Sequence, residues 1–382
     1  MKILHIINSL KKGGAEGNLY RLCKFNKEKY KNKIDISIVT LIDDGYYEAE
    51  LKKIGIKIIS LDFNKENRSF VFLKKILKLR KFIKRYNPNI IQSWMYHSNF
   101  VTLFFPRSFY DKIFWNIRHS ELNLKISKKT TILVSIFCGL FSKIVPKKII
   151  YCSEKSIDFH QNKHFYSKNK TKLIYNGYND KIYYPSKYLK TKFRKENGIK
   201  KSDIILGFAG RYAKQKNIPS ILLAFSKFIK KHNNIYLYMV GKDIDNSNKE
   251  LVTLISNLKI QNKVFFLNEQ KNLLEFYNGI DLLILASHSE SFPNVIAEAM
   301  LCSTLVLASD AGCAKKIISN FGFIIKKNHH ISIINGLKKS INIFKKKNKH
   351  WKLLQRNSRV QIKNNFSIKK MTNTYFNNWI FR

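Results

Sequence analysis

The feature that most constrains this chain is an alternation, repeated in two series, of short β-branched or aliphatic runs with longer segments of helical period. Strands that recur in one direction with a helix between them are the building units of a parallel sheet covered on both faces. The first series offers seven strands: Lys2–Ile7, Ile34–Leu41, Lys57–Leu61, Asn89–Trp94, Ile113–Arg118, Lys148–Cys152 and Lys172–Tyr175. Between them, Phe70–Arg85 reads as a helix with Leu73, Ile76, Leu77, Arg80 and Ile83 on one side and most of its lysines on the other. Gly177 to Lys200 is polar, rich in Tyr, Lys and Asn, contains Pro185, and reads as a connection. A second series follows, with strands at Ile204–Ala209, Ile235–Val240, Val264–Leu267, Asp281–Leu285, Thr304–Ala308 and Phe323–Ile325. From His330 onward no further strand is expected, and Phe366–Phe381 closes the chain as a helix.

The expected fold class is therefore α/β, with two doubly wound, Rossmann-like domains. A length of 382 residues suits two cores of this size. The boundaries fall at 1–178 for the first domain, 179–365 for the second and 366–382 for the closing helix.

The formal charge of +46 raises nucleic acid or an anionic membrane as partners. The excess is spread as +21 over residues 1–180 and +25 over 181–382, so there is neither a basic half nor a basic tail. Abundant Lys, Asn and Ile are also what A/T-rich coding produces. Five dispersed cysteines, with no C-x-x-C and no zinc-like spacing, suit a reducing compartment. Met1 to Asn8 reads as a first strand and not as a signal peptide. The longest uncharged stretch, Thr130 to Ser142, has 13 residues and is too short to span a hydrocarbon core of about 30 Å. A cytoplasmic protein is expected, peripheral on the inner face of the plasma membrane if the basic Phe70–Arg85 helix and the apolar Thr130–Ser142 segment rest on an anionic leaflet.

The sharpest local signal is Glu290-Ser291-Phe292-Pro293-Asn294-Val295-Ile296-Ala297-Glu298, directly after a strand. Pro293 marks the start of a helix, so Glu290 falls in the strand-to-helix loop and Glu298 more than one turn into the helix. The free amides of such a helix start suit a diphosphate, and carboxylates at both ends can accept hydrogen bonds from sugar hydroxyls. Taken alone, two acids eight apart are more often a surface acid and an ordinary ion-pair partner. The second series opens with Gly210-Arg211 followed by Lys216-Asn217, and two cations on one loop can clamp a diphosphate. In the first series Gly13-Gly14 follows the first strand, His97 follows the strand ending in Trp94, and His119 ends the next. Ligands of open α/β sheets bind at that C-terminal edge.

This combination resembles family 4 of the retaining glycosyltransferases, whose E-x7-E motif takes here the form E-S-F-P-N-x-x-x-E. The resemblance runs over nearly the whole chain with its motifs in order, and it implies the GT-B fold: two Rossmann-like domains facing across a cleft, with the C-terminal helix returning to the first. It implies that Glu290 contacts the donor sugar, that Ser291, Phe292, Pro293 and Asn294 approach sugar and phosphate, and that Glu298 binds the ribose. By the same resemblance Arg211 and Lys216 hold the diphosphate, His119 contacts the donor sugar, and Gly14 and His97 line the substrate site. Two departures stand out. Asn179 replaces the usual Asp of an N-G-x-D element near the boundary. Gly312-Cys313-Ala314-Lys315-Lys316 replaces G-G-x-x-E, which leaves the donor sugar open.

The reaction so implied moves a hexose-type sugar from a nucleotide diphosphate, UDP foremost, to a glycan or polyprenyl-linked acceptor, with retention of configuration. Bacterial surface-polysaccharide or lipid-linked oligosaccharide assembly is the natural setting. With no D-x-D-type element, neither a metal nor another cofactor is expected. Two other readings compete: a basic nucleic-acid-binding protein, for which no reading motif is present, and an inactive GT-B partner subunit, motivated by Lys316 and Asn179.

Overall fold

The computed structural model describes residues 1–30, 33–42, 45–63, 69–122, 124, 127–326, 329–346 and 348–380. Among the described residues thirteen strands form two sheets, parallel at every pairing. The first contains β1 (Lys2–Ile7), β2 (Asp35–Thr40), β3 (Lys57–Ser60), β4 (Ile90–Trp94), β5 (Ile113–Ile117), β6 (Lys148–Tyr151) and β7 (Thr171–Leu173), in the spatial order β3-β2-β1-β4-β5-β6-β7. The second contains β8 (Ile204–Ala209), β9 (Ile235–Val240), β10 (Val264–Phe266), β11 (Leu282–Leu285), β12 (Leu305–Ser309) and β13 (Phe323–Ile325), ordered β10-β9-β8-β11-β12-β13.

The chain divides into two compact units, Met1–Gly177 together with Ile368–Arg382, and Tyr178–Ser367. In the first unit, side chains alternate along β1 between two cores. Leu4 and Ile6 pack into one, Ile3 and Ile7 into the other. Burial on both faces explains why these strands are rich in aliphatic residues on both sides. The helix Ile368–Ile380 closes the second of these cores with Ile368, Met371, Tyr375 and Trp379, a stripe at helical spacing. It is also tied by polar bonds: Trp379 Nε1 donates to Gln92 Oε1 at 3.1 Å, and Asn116 Nδ2 donates to Tyr375 Oη at 2.7 Å.

Two sequence expectations need correction. The helix Ser69–Tyr86 buries Ile76, Leu79 and Ile83, while Leu73 and Leu77 are exposed. Apolar residues on two adjoining stripes of that helix leave its core face ambiguous until the sheet beneath it is known. The supposed connection contains a helix, Lys187–Glu196, capped by Ser186 Oγ, which accepts from the Leu189 amide at 3.2 Å. Phe193 is its buried anchor, and Arg194 and Lys190 bond the buried Asp281 at 3.2 and 3.0 Å. Asp281 Oδ2 also accepts from the Ile205 amide at 2.9 Å, so one carboxylate fixes this helix to the base of β8. Among the described residues no helix is long and apolar enough to cross a membrane.

Candidate functional site

In each sheet the order reverses once, between β1 and β4 and between β8 and β11. Connections diverge to opposite faces at such a point and leave a crevice beyond the C-terminal strand ends. The residues singled out in the sequence gather at these two places.

In the Tyr178–Ser367 unit, the loop after β8 carries Arg211 and Lys216 and the loop after β11 carries Glu290. Lys216 Nζ lies 2.5 Å from Glu290 Oε1, with both side chains largely shielded from solvent. Ser287 Oγ donates to the same oxygen at 2.8 Å. The two loops are stitched together by further bonds. The His288 amide donates to the Gln215 carbonyl at 2.8 Å, Gln215 Nε2 to the Ser289 carbonyl at 2.5 Å, and Asn217 Nδ2 to the Ala286 carbonyl at 3.2 Å. Asn217 adopts a left-handed conformation (φ 54°) as the chain turns into the helix Ile218–Ile229. Arg211 is exposed and makes no ion pair among the described residues.

Pro293 caps the helix Asn294–Leu301, which places Glu298 in its second turn. Phe292 is buried against the rings of Tyr178 and Phe366, and Tyr178 Oη bonds Asn294 Oδ1 at 2.5 Å. Ser291 is held through its carbonyl, which accepts from the Cys313 amide at 3.1 Å. Glu298 is buried, and Tyr277 Oη donates to its Oε2 at 2.9 Å. Burial first, and then the Glu298 charge, push the Tyr277 phenol well above its ordinary pKa, so it stays a donor. Sequence reasoning missed Tyr277, which lies on the short helix Leu274–Gly279 and has no spacing signal linking it to Glu298.

Gly312 shapes the same corner. Its φ is +57°, and a Cβ there would lie 2.0 Å from the Glu290 carbonyl oxygen and 2.6 Å from that of Ser291. Only glycine fits both the backbone angle and the contact. Asn179, in place of the usual acid, accepts from the Lys181 amide at 2.9 Å and closes a local turn.

In the other unit, Gly14 begins the helix Gly14–Tyr30 after β1, His97 lies on the helix Tyr96–Thr102 after β4, and His119 follows β5. These are three neighbouring strand ends. Met95, between β4 and its helix, holds φ 72°, a strained value for a side chain with a Cβ. His97 is exposed, yet crowding and then the Lys128 charge lower its pKa. The exposed His119 ring rests 5.7 Å from that of Tyr96, and its carbonyl accepts from Ser156 Oγ at 2.5 Å. Beneath them, Tyr96 Oη donates to His160 Nε2 at 2.7 Å while His160 Nδ1 donates to the Ser156 carbonyl at 2.7 Å. These bonds fix the neutral tautomer, and burial holds the His160 pKa down to about 3.

The chain is similar to several known proteins. Residues 190–357 match the family model described as glycosyl transferases group 1. Over 283 residues the chain is 28% identical to an uncharacterized glycosyltransferase of Methanocaldococcus jannaschii, covering 70% of this chain and 68% of that one. It is 24% identical over 294 residues to the N,N'-diacetylbacillosaminyl-diphospho-undecaprenol alpha-1,3-N-acetylgalactosaminyltransferase of Campylobacter jejuni, covering 73% and 75%. The structure of Anabaena HepE in complex with UDP and glucose matches with a TM-score of 0.82 over 100% of both chains at 20% identity, a likeness of fold.

Proposed function

We propose that the chain, a glycosyltransferase whose residues 190–357 match the group 1 family model and whose two Rossmann-like units are of the GT-B kind, uses a nucleotide diphosphate sugar and retains the anomeric configuration. The observation that carries this reading is the shielded Lys216–Glu290 pair at the β8/β11 reversal, beside the start of the Asn294–Leu301 helix. The loop after β8 offers cations to a diphosphate, and the loop after β11 offers it the amides of the Asn294–Leu301 helix start and offers carboxylates to hydroxyls.

In this reading Arg211 and Lys216 bind the diphosphate, Glu290 accepts from the donor sugar's hydroxyls, and Glu298, held by Tyr277, accepts from the ribose. Ser291, Phe292, Pro293 and Asn294 shape the floor, and Gly14, His97 and His119 are the substrate contacts proposed for the Met1–Gly177 unit. The bond between the sugar's anomeric carbon and the diphosphate oxygen breaks as the acceptor oxygen bonds that carbon on the same face. The acceptor's proton passes to the departing phosphate oxygen, whose charge Arg211, Lys216 and the helix amides stabilise. No enzyme nucleophile and no metal enter the scheme. The donor is proposed to be a UDP-hexose, in keeping with the UDP and glucose bound by HepE. The acceptor is proposed to be a glycan or a polyprenyl-linked saccharide at the cytoplasmic face, in keeping with the undecaprenol-linked substrate named for the Campylobacter relative.

The test is a thermal-shift screen with UDP-, GDP- and ADP-sugars, followed by transfer assays with and without EDTA. A UDP-sugar should raise the melting temperature, and Glu290→Ala or Arg211→Ala should abolish transfer with the circular dichroism spectrum unchanged. Wild-type transfer rates in either variant would overturn the assignment.

A further inference from the structure

The helix Lys129–Phe141 presents an apolar stripe to solvent. Leu133 is 66% exposed, Leu140 56% and Ile144 just beyond the helix 63%, with Phe137 on the same face. The spacing i, i+4, i+7, i+11 makes this one continuous face. It does not end at the helix edge. The Phe137 ring lies 5.6 Å from Phe100, Phe100 lies 5.4 Å from Phe104, and Phe104 lies 5.7 Å from Phe72. The apolar surface thus reaches the helix Ser69–Tyr86, where Leu73 and Leu77 are also exposed.

The two helices themselves carry charge of one sign only. Lys74, Lys78, Lys81 and Lys84 are exposed on the same helix as Leu73 and Leu77, and that helix carries no acid. Lys128, Lys129 and Lys143 flank the second helix, which has none either. Across residues 69–148 there are 16 Lys or Arg against Asp111 and Glu121 alone. An exposed apolar stripe among lysines is unfavourable in water and matched by a surface that is oily beneath and anionic at its rim. A second copy of this chain would bring a second set of lysines to the contact, and nucleic acid would leave the aliphatic stripe unmatched.

We infer that the face built from Leu133, Phe137, Leu140 and Ile144, with the lysines of the Ser69–Tyr86 helix, docks this enzyme on an anionic lipid bilayer. The 13-residue helix lies in the headgroup layer and does not cross it. The contact deepens the function proposed above and rests on it only for its purpose, which is to meet a membrane-borne acceptor.

The experiment is cosedimentation of the full chain with phosphatidylcholine vesicles, plain or rich in phosphatidylglycerol, at low and high salt. The wild type should bind the anionic vesicles and release them as salt rises. Leu133→Gln/Leu140→Gln/Ile144→Gln should weaken binding by about 100-fold. Lys78→Gln/Lys81→Gln, a purely surface change, should weaken it by about 30-fold. Equal binding by wild type and both variants, or equal binding to plain and anionic vesicles, overturns the inference. So does a wild-type dimer that the triple variant disperses, with no vesicle binding by either. Melting shifts with nucleotide sugars, measured without vesicles, report on the donor site separately, so one reading can fail while the other stands.

Discussion

Lys216 and Glu290, 74 positions apart in the sequence, meet at 2.5 Å because β8 and β11 are neighbours in the sheet. The ammonium is thereby held against a carboxylate that is itself shielded from solvent. Removing one partner leaves the other charge poorly solvated, a loss of about 3 kcal/mol for a buried pair. Lys216→Ala should therefore lower both the melting temperature and transfer, the latter by about 100-fold or more. Adding Glu290→Gln should restore most of the stability and none of the activity. Full activity in the stable double variant would show that the pair has no part in chemistry.

Tyr277→Phe isolates the hydrogen bond to Glu298. A bond to a charged acceptor is worth about 1.5–3 kcal/mol, which predicts a rise of about 10- to 100-fold in the dissociation constant for UDP. On the role proposed for Glu298 the ribose is the part affected, so a deoxyribose analogue should bind wild type and variant alike. Titration calorimetry checks both halves. Unchanged UDP affinity would remove Tyr277 as a positioning residue.

Gly312→Ala tests the corner beneath Glu290. The left-handed φ and the 2.0 Å approach to the Glu290 carbonyl together predict a loss of about 2–4 kcal/mol in denaturant unfolding. A variant as stable as wild type would mean that the Gly312–Glu290 packing is easily relaxed.

Acid should destabilise the first unit through two buried histidines. Burial holds the pKa of both His5 and His160 down to about 3, against 6.5 in the unfolded chain. Between those values the unfolded state binds the extra protons, so stability is complete above pH 6.5 and falls as pH drops toward 3. Each histidine should cost about 2 kcal/mol by about pH 5. His5→Gln/His160→Gln should flatten that part of the melting profile, whatever its effect at neutral pH. An unaltered slope would assign acid sensitivity to other groups.

The strands were legible because parallel strands buried on both faces are rich in aliphatic residues, as in Leu282–Leu285 and the first four residues of Leu305–Ser309. The loop position of Glu290 and the helical position of Glu298 were equally local, set by Pro293 between them. The Lys187–Glu196 helix was not, because Phe193 is its one buried residue and gives no stripe to detect. The core face of Ser69–Tyr86 was misread for the opposite reason, an excess of apolar positions. Tyr277 lay beyond sequence because its bond to Glu298 joins two helices that only the packed second unit brings together.

The helix Ile368–Ile380 is the last described element to leave the ribosome, yet Tyr375 and Trp379 complete the core built around β1 and β4. The unit begun first is thus finished last. All of Tyr178–Ser367 can collapse while the Ile3, Ile7 and Trp94 side of the earlier sheet still waits for its cover. A nascent chain stalled before residue 368 should expose that apolar face to chaperones, and a stop codon there should yield an insoluble first unit beside a folded second one.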